Sequence, residues 1–324
     1  MSLNVALQMD PVESINPKSD NTMLLSIEAQ KRGYKVFYYL PQDLSFEDGK
    51  VKAQAYPVTF HKDPSHYYAR EEPRIIDLAS DIDVVLMRQN PPFDMAYITA
   101  TFILDHIKEK TLIVNDPTEV RNAPEKLLTT HFPDLIPPTL ISRNKQAILD
   151  FYQKHKNIVL KPLYSFGGDQ VYHVDRTGKN LITLLEMYAK FFQEPIVIQK
   201  YIPDVVKGDK RVILLDGNPI GACLKIPPKN EIRSGLDLGG KSEKTSLSAR
   251  DIEICNAIGP VLKDRNLIFA SIDILGEYLS EINVTSPGGI PYINKLDNVC
   301  LEEKFWDAFE EKLRDRGSFV INNS

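Results

Sequence analysis

The stretch from Leu3 to Leu40 constrains the fold more than any other part of the sequence. LNVALQM (Leu3 to Met9) alternates apolar residues and reads as a strand. A helix is expected over Asn21 to Arg32, with Leu24, Leu25 and Ile27 on its inner side. Gly33 stands where a left-handed helix C-cap belongs. YKVFYYL (Tyr34 to Leu40) then reads as a second strand. Strand, helix and strand in this order form a βαβ unit, which requires a parallel sheet. DVVLMR (Asp83 to Arg88), a helix over Met95 to Lys108 and TLIVND (Thr111 to Asp116) continue the alternation, so the chain opens as a Rossmann-like half. The loop after the first strand, MDPVESINPKSD, contains no GxGxxG, which removes most of the support for a dinucleotide site.

From about Thr118 the texture changes. A helix is expected over Val120 to Thr130, a short strand after Pro137-Pro138, and a helix over Lys145 to His155. Strands then dominate: IVLKPL and QVYHV flank YSFGGD, and PIVIQKYI follows a helix over Leu181 to Phe192. KRVILLDGNPIGACLKIP reads as a hairpin turning at Asp216-Gly217. Asn230 to Thr245 is polar, without apolar period, and reads as a mobile loop. Helices are expected over Ala249 to Arg265 and Glu302 to Arg314. The fold class is thus α/β and α+β, a Rossmann-like N-terminal domain followed by a two-part module with antiparallel sheets. At 324 residues the chain is long for one core. Domain boundaries are expected at 1–121, 122–203 and 204–316, with a tail over 317–324.

Composition excludes several functions. The formal charge is −5 and basic clusters are short, so there is no electrostatic footprint for nucleic acid. No apolar run approaches the ~18 residues of a membrane helix. The N-terminus lacks the basic and apolar regions of a signal peptide, which suggests a cytoplasmic protein. Cys223, Cys255 and Cys300 stand far apart and read as reduced thiols rather than disulfides or zinc ligands.

Three segments could carry chemistry. In VLKPLYSFGGD, Lys161 lies in an apolar strand and Gly167-Gly168 follow. Glycines let backbone N–H groups approach an anion, and a lysine facing them adds a point charge. The spacing is not that of a P-loop, and a hairpin with an edge lysine is the alternative. In QKYIPDVVKGDKR, the strand end at Gln199, Lys200, Tyr201 and Ile202 could read an adenine edge, and Asp209 could accept from ribose hydroxyls; a solvated charge run is the alternative. The third segment is SIDILGEYLSEINVTSPGG (Ser271 to Gly289). If Gly276 to Tyr278 form a three-residue loop, Asp273 lies opposite Glu281, and Asn283 shares their face. Two carboxylates side by side repel, and a divalent cation removes the conflict. All-oxygen ligands suit magnesium or manganese, and magnesium commonly shares substrate phosphates. A polar sheet face open to solvent is the alternative. Together the segments have the parts of an ATP site.

In this order, MDP, EAQKRGY, LMRQNPPFD, TLIVNDP, EKL, LKPL with its glycines, GDKRV and EINVTSP resemble the bacterial glutathione synthetase family of ATP-grasp ligases over nearly the whole chain. The resemblance implies a pre-ATP-grasp N-terminal domain and an ATP-grasp module. It implies ligation of γ-glutamylcysteine and glycine to glutathione, with ATP converted to ADP and phosphate through an acyl phosphate. It implies that Lys126, Lys161, Gly167 and Gly168 meet the ATP phosphates, and that Gln199, Lys200, Tyr201, Ile202 and Asp209 hold adenosine. Asp273, Glu281 and Asn283 are expected to bind two magnesium ions, with manganese able to substitute, and Arg211 to stabilise charge on the acyl phosphate. Arg88, Arg233 and Ser286 are expected to hold the peptide, and the flap containing Gly239 and Gly240 to exclude water. A homotetramer is also implied. The family usually follows TSP with threonine or cysteine and an Arg-Glu pair, where this chain has GGIPYINKLDN. Its flap reads SGLDLGGKSE instead of a glycine-alanine run with arginine. Both departures adjoin the peptide pocket. Another ATP-grasp carboxylate–amine ligase, of amino-acid or D-alanine type, or a non-catalytic ATP-binding module are the alternatives.

Overall fold

A computed structural model of the chain describes residues 2–229, 231–235 and 239–317. Part of the expected loop over Asn230 to Thr245, and all but Gly317 of the expected tail, lie outside the described residues.

The N-terminal layer begins as expected. β1 (Asn4–Gln8), α1 (Asn21–Lys31) and β2 (Lys35–Tyr39) form the βαβ unit, with β1 and β2 parallel. Asp20 caps α1 by accepting from the Met23 N–H. At the other end Tyr34 N–H bonds the Ala29 carbonyl and Gly33 N–H that of Gln30, a Schellman closure around Gly33 at φ +79°. The inner face differs from expectation: Met23, Leu25 and Ala29 are buried, while Leu24 and Ile27 pack only at its margin.

The segment between β2 and the next parallel strand is one the apolar pattern left unassigned. It holds β3 (Leu44–Glu47), β4 (Lys50–Phe60), β5 (Tyr68–Arg70) and β6 (Arg74–Asp77). All pair antiparallel, with β4 joining this meander to β2. β7 (Val84–Met87), α2 (Met95–Asp105) and β8 (Leu112–Val114) complete the layer. The sheet order is β3-β4-β2-β1-β7-β8, so the sheet is mixed rather than wholly parallel.

The helix expected over Val120 to Thr130 is two short ones, α3 (Pro117–Arg121) and α4 (Glu125–Leu128). Pro124 separates them, because it lacks an N–H and forces its predecessor out of helical geometry. Next come β9 (Thr139–Ser142), α5 (Lys145–His155), β10 (Ile158–Pro162), β11 (Tyr172–Val174), α6 (Leu181–Phe191) and β12 (Ile196–Lys200). Their antiparallel sheet, ordered β11-β10-β12-β9, has its own core of residues such as Ile148, Leu160, Leu185 and Ile198.

The last sheet is β15-β14-β13-β16-β17, also antiparallel. β13 (Asp209–Leu215) and β14 (Asn218–Ile226) turn at Asp216-Gly217, both at positive φ. β15 (Lys241–Lys244) pairs with β14 inside the stretch read as a loop; its largely exposed KSEK carries no apolar alternation to reveal it. α7 (Ala249–Asp264) leads to β16 (Phe269–Leu275) and β17 (Tyr278–Asn283). α8 (Ile290–Asp297), which the sequence reading missed, and α9 (Leu301–Asp315) follow. The first and last sheets share their cores: Ala6 and Met87 cluster with Val212 and Ile272, and Leu25 with Phe305 and Trp306. Buried Asn115 joins them directly. Its Nδ2 donates to the Phe269 and Val284 carbonyls, both at 2.7 Å, and its Oδ1 accepts from the Phe269 N–H at 2.8 Å. Among the described residues no helix is long and apolar enough to cross a membrane.

Candidate active site

The three layers enclose a cleft with a cavity volume of about 500 Å³, within the ~300–1,000 Å³ of small-molecule sites. One wall is the β16–β17 hairpin. Leu275 faces Tyr278, so Gly276 and Glu277 alone make the turn, not the expected three residues. That shorter turn would set Asp273 against Ser280. A bulge at Ser280 restores the pairing of Asp273 with Glu281, and Ser271 faces Asn283. Asp273, Glu281 and Asn283 therefore share one face and line the cleft, as the period-two reading expects.

Beside them Arg211 on β13 faces Asp273 and holds it through both oxygens, Nε at 2.9 Å and Nη2 at 2.7 Å. Lys225 on β14 adds a bond to Asp273 at 3.0 Å and an ion pair with Asp209 at 2.8 Å. Burial pushes the Asp273 carboxyl up, but Arg211 and Lys225 outweigh it and hold it well below the usual carboxylate range. Lys225 was missed by the sequence reading. Its signal was a lysine within apolar ACLKIP, the same signal that picks out Lys161, and the β13–β14 register sets it opposite Asp209.

The phosphate-type groups converge from the middle sheet. Burial pushes the Lys161 ammonium below its ordinary value, and its Nζ reaches Gln199 Oε1 at 3.1 Å. Gln199 is steadied by donation to Thr139 at 2.9 Å. Lys126 on α4 lies 3.9 Å from Glu281 and donates to the Ser165 carbonyl of the glycine loop. Gly167 and Gly168 adopt positive φ, a backbone conformation that favours glycine, and a Cβ on Gly168 would stand a tight 3.1 Å from the Arg233 side chain, on which the loop packs. At the end of β12, Lys200 and Tyr201 give their N–H groups to the Pro138 and Asn157 carbonyls. Ile202 lines this end of the cleft, and its N–H makes no backbone hydrogen bond among the described residues.

The remaining wall comes from the N-terminal layer. Buried Arg88 donates to Thr22 at 3.1 Å and to the Pro287 carbonyl at 2.9 Å, and the Ser286 hydroxyl donates to the Arg88 carbonyl at 3.4 Å. Asn21 Oδ1 caps α8 by accepting from Gly289 and Ile290 N–H groups. Thr285 donates to Glu125 at 3.0 Å. Gly239 and Gly240 are not among the lining residues: Gly239 lies near Pro228, and Gly240 packs against the Gly235, Ser234 and Ile226 carbonyls.

The cleft thus places cations around a carboxylate–amide face, a constellation suited to a polyphosphate and a carboxylate. Comparison with known sequences decides the family. The profile of the prokaryotic glutathione synthetase N-terminal domain matches residues 3–121, and that of the prokaryotic glutathione synthetase ATP-grasp domain matches 125–298. The chain belongs to the prokaryotic glutathione synthetase family.

Glutathione synthetase from Agrobacterium fabrum is 47% identical over 316 residues, covering 98% of each chain. That of Brucella melitensis is 47% identical over 312 residues, 96% of this chain and 100% of its own. That of Vibrio vulnificus is 39% identical over 316 residues, 97% and 99%. Among solved structures, D-cycloserine synthetase DcsG superposes with a TM-score of 0.67 at 14% identity, over 96% of this chain and 99% of its own. An ATP-grasp RimK domain protein from Sphaerobacter thermophilus gives 0.62 at 14%, over 94% and 98%. These two likenesses establish the ATP-grasp fold. The cleft is also lined by Glu125, which the sequence reading includes in the EKL motif without giving it a role. Burial, and then the like charge of Glu281, push its carboxyl up to about 7. Nothing in EKLL marks that glutamate, because both causes come from distant segments.

Proposed function

We propose that this family member joins γ-glutamylcysteine to glycine, giving glutathione, ADP and phosphate. The single observation that carries the reading is the joint of Arg211, Lys225 and Asp273 beside Glu281 and Asn283, in one cleft with Lys161 and the glycine loop. ATP is taken with its phosphates toward Lys126, Lys161, Gly167 and Gly168. Its adenosine lies along Gln199, Lys200, Tyr201, Ile202 and Asp209, with the Ile202 N–H as donor to the base. The cysteinyl carboxylate attacks the γ-phosphorus, ADP departs, and the acyl phosphate forms. The glycine amine attacks that carbonyl, the nitrogen loses a proton, and phosphate leaves. Arg211 and Lys225 face the oxygens on which charge grows, where preorganised cations act most strongly. Arg88, Arg233 and Ser286 hold the peptide, while the segment bearing Gly239 and Gly240 shields the intermediate from water.

The donor set fits magnesium in part. Glu281, Asn283 and Asp273 are hard oxygen donors on one face, and among the described residues no group of three or more His, Cys, Asp and Glu residues offers a competing metal site. Glu281 and Asn283 would hold the metal directly. Asp273 would join once Arg211 and Lys225 transfer their bonds to substrate oxygens. Bound magnesium, or manganese in its place, would supply neutralisation of phosphate charge. We further propose division at 1–121, 122–203 and 204–316, a cytoplasmic location and a homotetramer, on family likeness; sedimentation tests the last.

The test is ADP release from MgATP with each substrate alone and together. Release and a glutathione mass only with both γ-glutamylcysteine and glycine support the function. Turnover only with another carboxylate–amine pair contradicts it.

A further inference from the structure

A second cavity, of about 650 Å³, lies at the edge of the middle sheet where β10 begins and β12 ends. It shares Lys200 and Tyr201 with the cleft, and the rest of its lining lies outside the cleft. Its walls come from three places. His155, Lys156 and Asn157 stand at the end of α5, Arg176 in the turn after β11, and Lys200 and Tyr201 at the end of β12. The walls are tied together. Tyr201 N–H donates to the Asn157 carbonyl at 3.0 Å, Asn157 Oδ1 and His173 Nε2 are 2.5 Å apart, and the His173 ring stacks on Tyr201 with centroids 4.2 Å apart.

Three permanent cations, Lys156, Arg176 and Lys200, line this cavity, and no carboxylate does. The Arg176 and Lys200 side chains have no hydrogen bond or ion pair among the described residues, and that of Lys156 meets only Gln153 Oε1 and the Tyr152 ring. Asp175, next to Arg176 in sequence, accepts instead from the Thr177 N–H at 2.9 Å and hydroxyl at 2.6 Å. Burial, and then the charges of Lys154 and Lys200, push the His155 imidazole below its ordinary value. A basic last turn complements the negative end of α5, which accounts for Lys154 and His155. It does not account for Arg176 and Lys200, which arrive from other elements. A concave site lined by one sign of charge concentrates counter-ions. Lys161 pairs with Val197 while Ile158 pairs with Lys200, so this site lies about 10 Å along the sheet from the lysine assigned to the ATP phosphates.

We propose that this cavity binds a small polyphosphate anion, distinct from the ATP of the cleft, through Lys156, Arg176 and Lys200. The planar fork of the arginine takes two phosphate oxygens, and the lysines add point charges. The anion is either free pyrophosphate or the diphosphate of a second nucleotide. Its binding is independent of the ligation proposed above.

The experiment is calorimetric titration of the whole chain with pyrophosphate and, separately, with ADP. The variant Lys156→Asn/Arg176→Gln removes two of the charges, and asparagine tolerates the φ of +58° at position 156. A control, Lys62→Gln/Lys110→Gln, loses two exposed charges elsewhere. The parent and the control are expected to bind one more equivalent of pyrophosphate than the cleft alone takes, and the cavity variant to weaken that equivalent by about tenfold or more, the scale of charge-assisted hydrogen bonds. Two ADP per chain in the parent, falling to one in the cavity variant, identify the ligand as a nucleotide. One ADP in both, with the extra pyrophosphate still lost, identifies it as the free anion. If the double variant fails to fold, each single variant reads the same loss. No extra equivalent in the parent, pyrophosphate binding unchanged in the cavity variant, or an equal loss in the control overturns the proposal.

Discussion

Glu125 and Glu281 are carboxylates of one cleft with opposite behaviour toward water. Glu125 takes up its proton more readily folded than unfolded, with a value near 7 against the ordinary 4.5. Its contribution to stability is therefore complete below about pH 4.5 and is lost as pH rises through 7. Glu125→Gln should abolish that loss, so its denaturation midpoint stays flatter from about pH 5 to 8. At pH 8 it should exceed the parent by about 1–3 kcal/mol; parallel curves would contradict the assignment. Glu281 has 27% of its side chain exposed and only a 3.9 Å approach to Lys126. Glu281→Ala should change stability by no more than about 1 kcal/mol, yet cut magnesium-dependent turnover by about a hundredfold or more. Near-parental turnover would remove the metal role. At this scale the sequence was readable where one element carries the pattern, as with Asp273, Glu281 and Asn283 on a two-residue period. It was not readable for Glu125, Lys225 and Asn115, whose character comes from partners far along the chain.

Among the elements, turns and caps account for what was legible. Asp216-Gly217 between apolar runs and Gly33 after a helix announce a hairpin and a C-cap, and both occur. The two glycines differ in surroundings. Gly33 sits at φ +79° with nothing within 4 Å of a Cβ, whereas at Gly217 a Cβ would lie 2.3 Å from the Gly259 carbonyl oxygen. Gly33→Ala should cost about 1 kcal/mol, from backbone conformation alone. Gly217→Ala must also push the α7 backbone away and should cost about 2–4 kcal/mol in a denaturant titration. Equal costs would contradict the close approach. Elements without such punctuation were missed: β15 lacks apolar alternation, α8 follows a glycine pair that reads as loop, and Pro57 interrupts the alternation of β4. The turn of the metal-type hairpin was misjudged by one residue, and the Ser280 bulge compensates for it.

Across the whole molecule, the first and last sheets are bound by common cores while the middle sheet keeps its own. Sequence periodicity could assign strands to layers but could not show which layers share a core, because that depends on contacts between residues hundreds of positions apart. Asn115 is the clearest such tie. Asn115→Ala strips partners from three buried backbone groups and should cost about 2–4 kcal/mol. A cost under about 1 kcal/mol would mean that the tie is dispensable. The arrangement leaves the glycine loop on the separately packed sheet and the carboxylate–amide face on the shared one, so the proposed reaction lies between them. The most direct test of that reaction uses γ-glutamylcysteine labelled with ¹⁸O in its cysteinyl carboxylate, incubated with MgATP and glycine. Attack on the γ-phosphorus by that carboxylate predicts one ¹⁸O in the phosphate released, together with the mass of glutathione. Glutathione formed with unlabelled phosphate, or no ligated product, would contradict the acyl phosphate route.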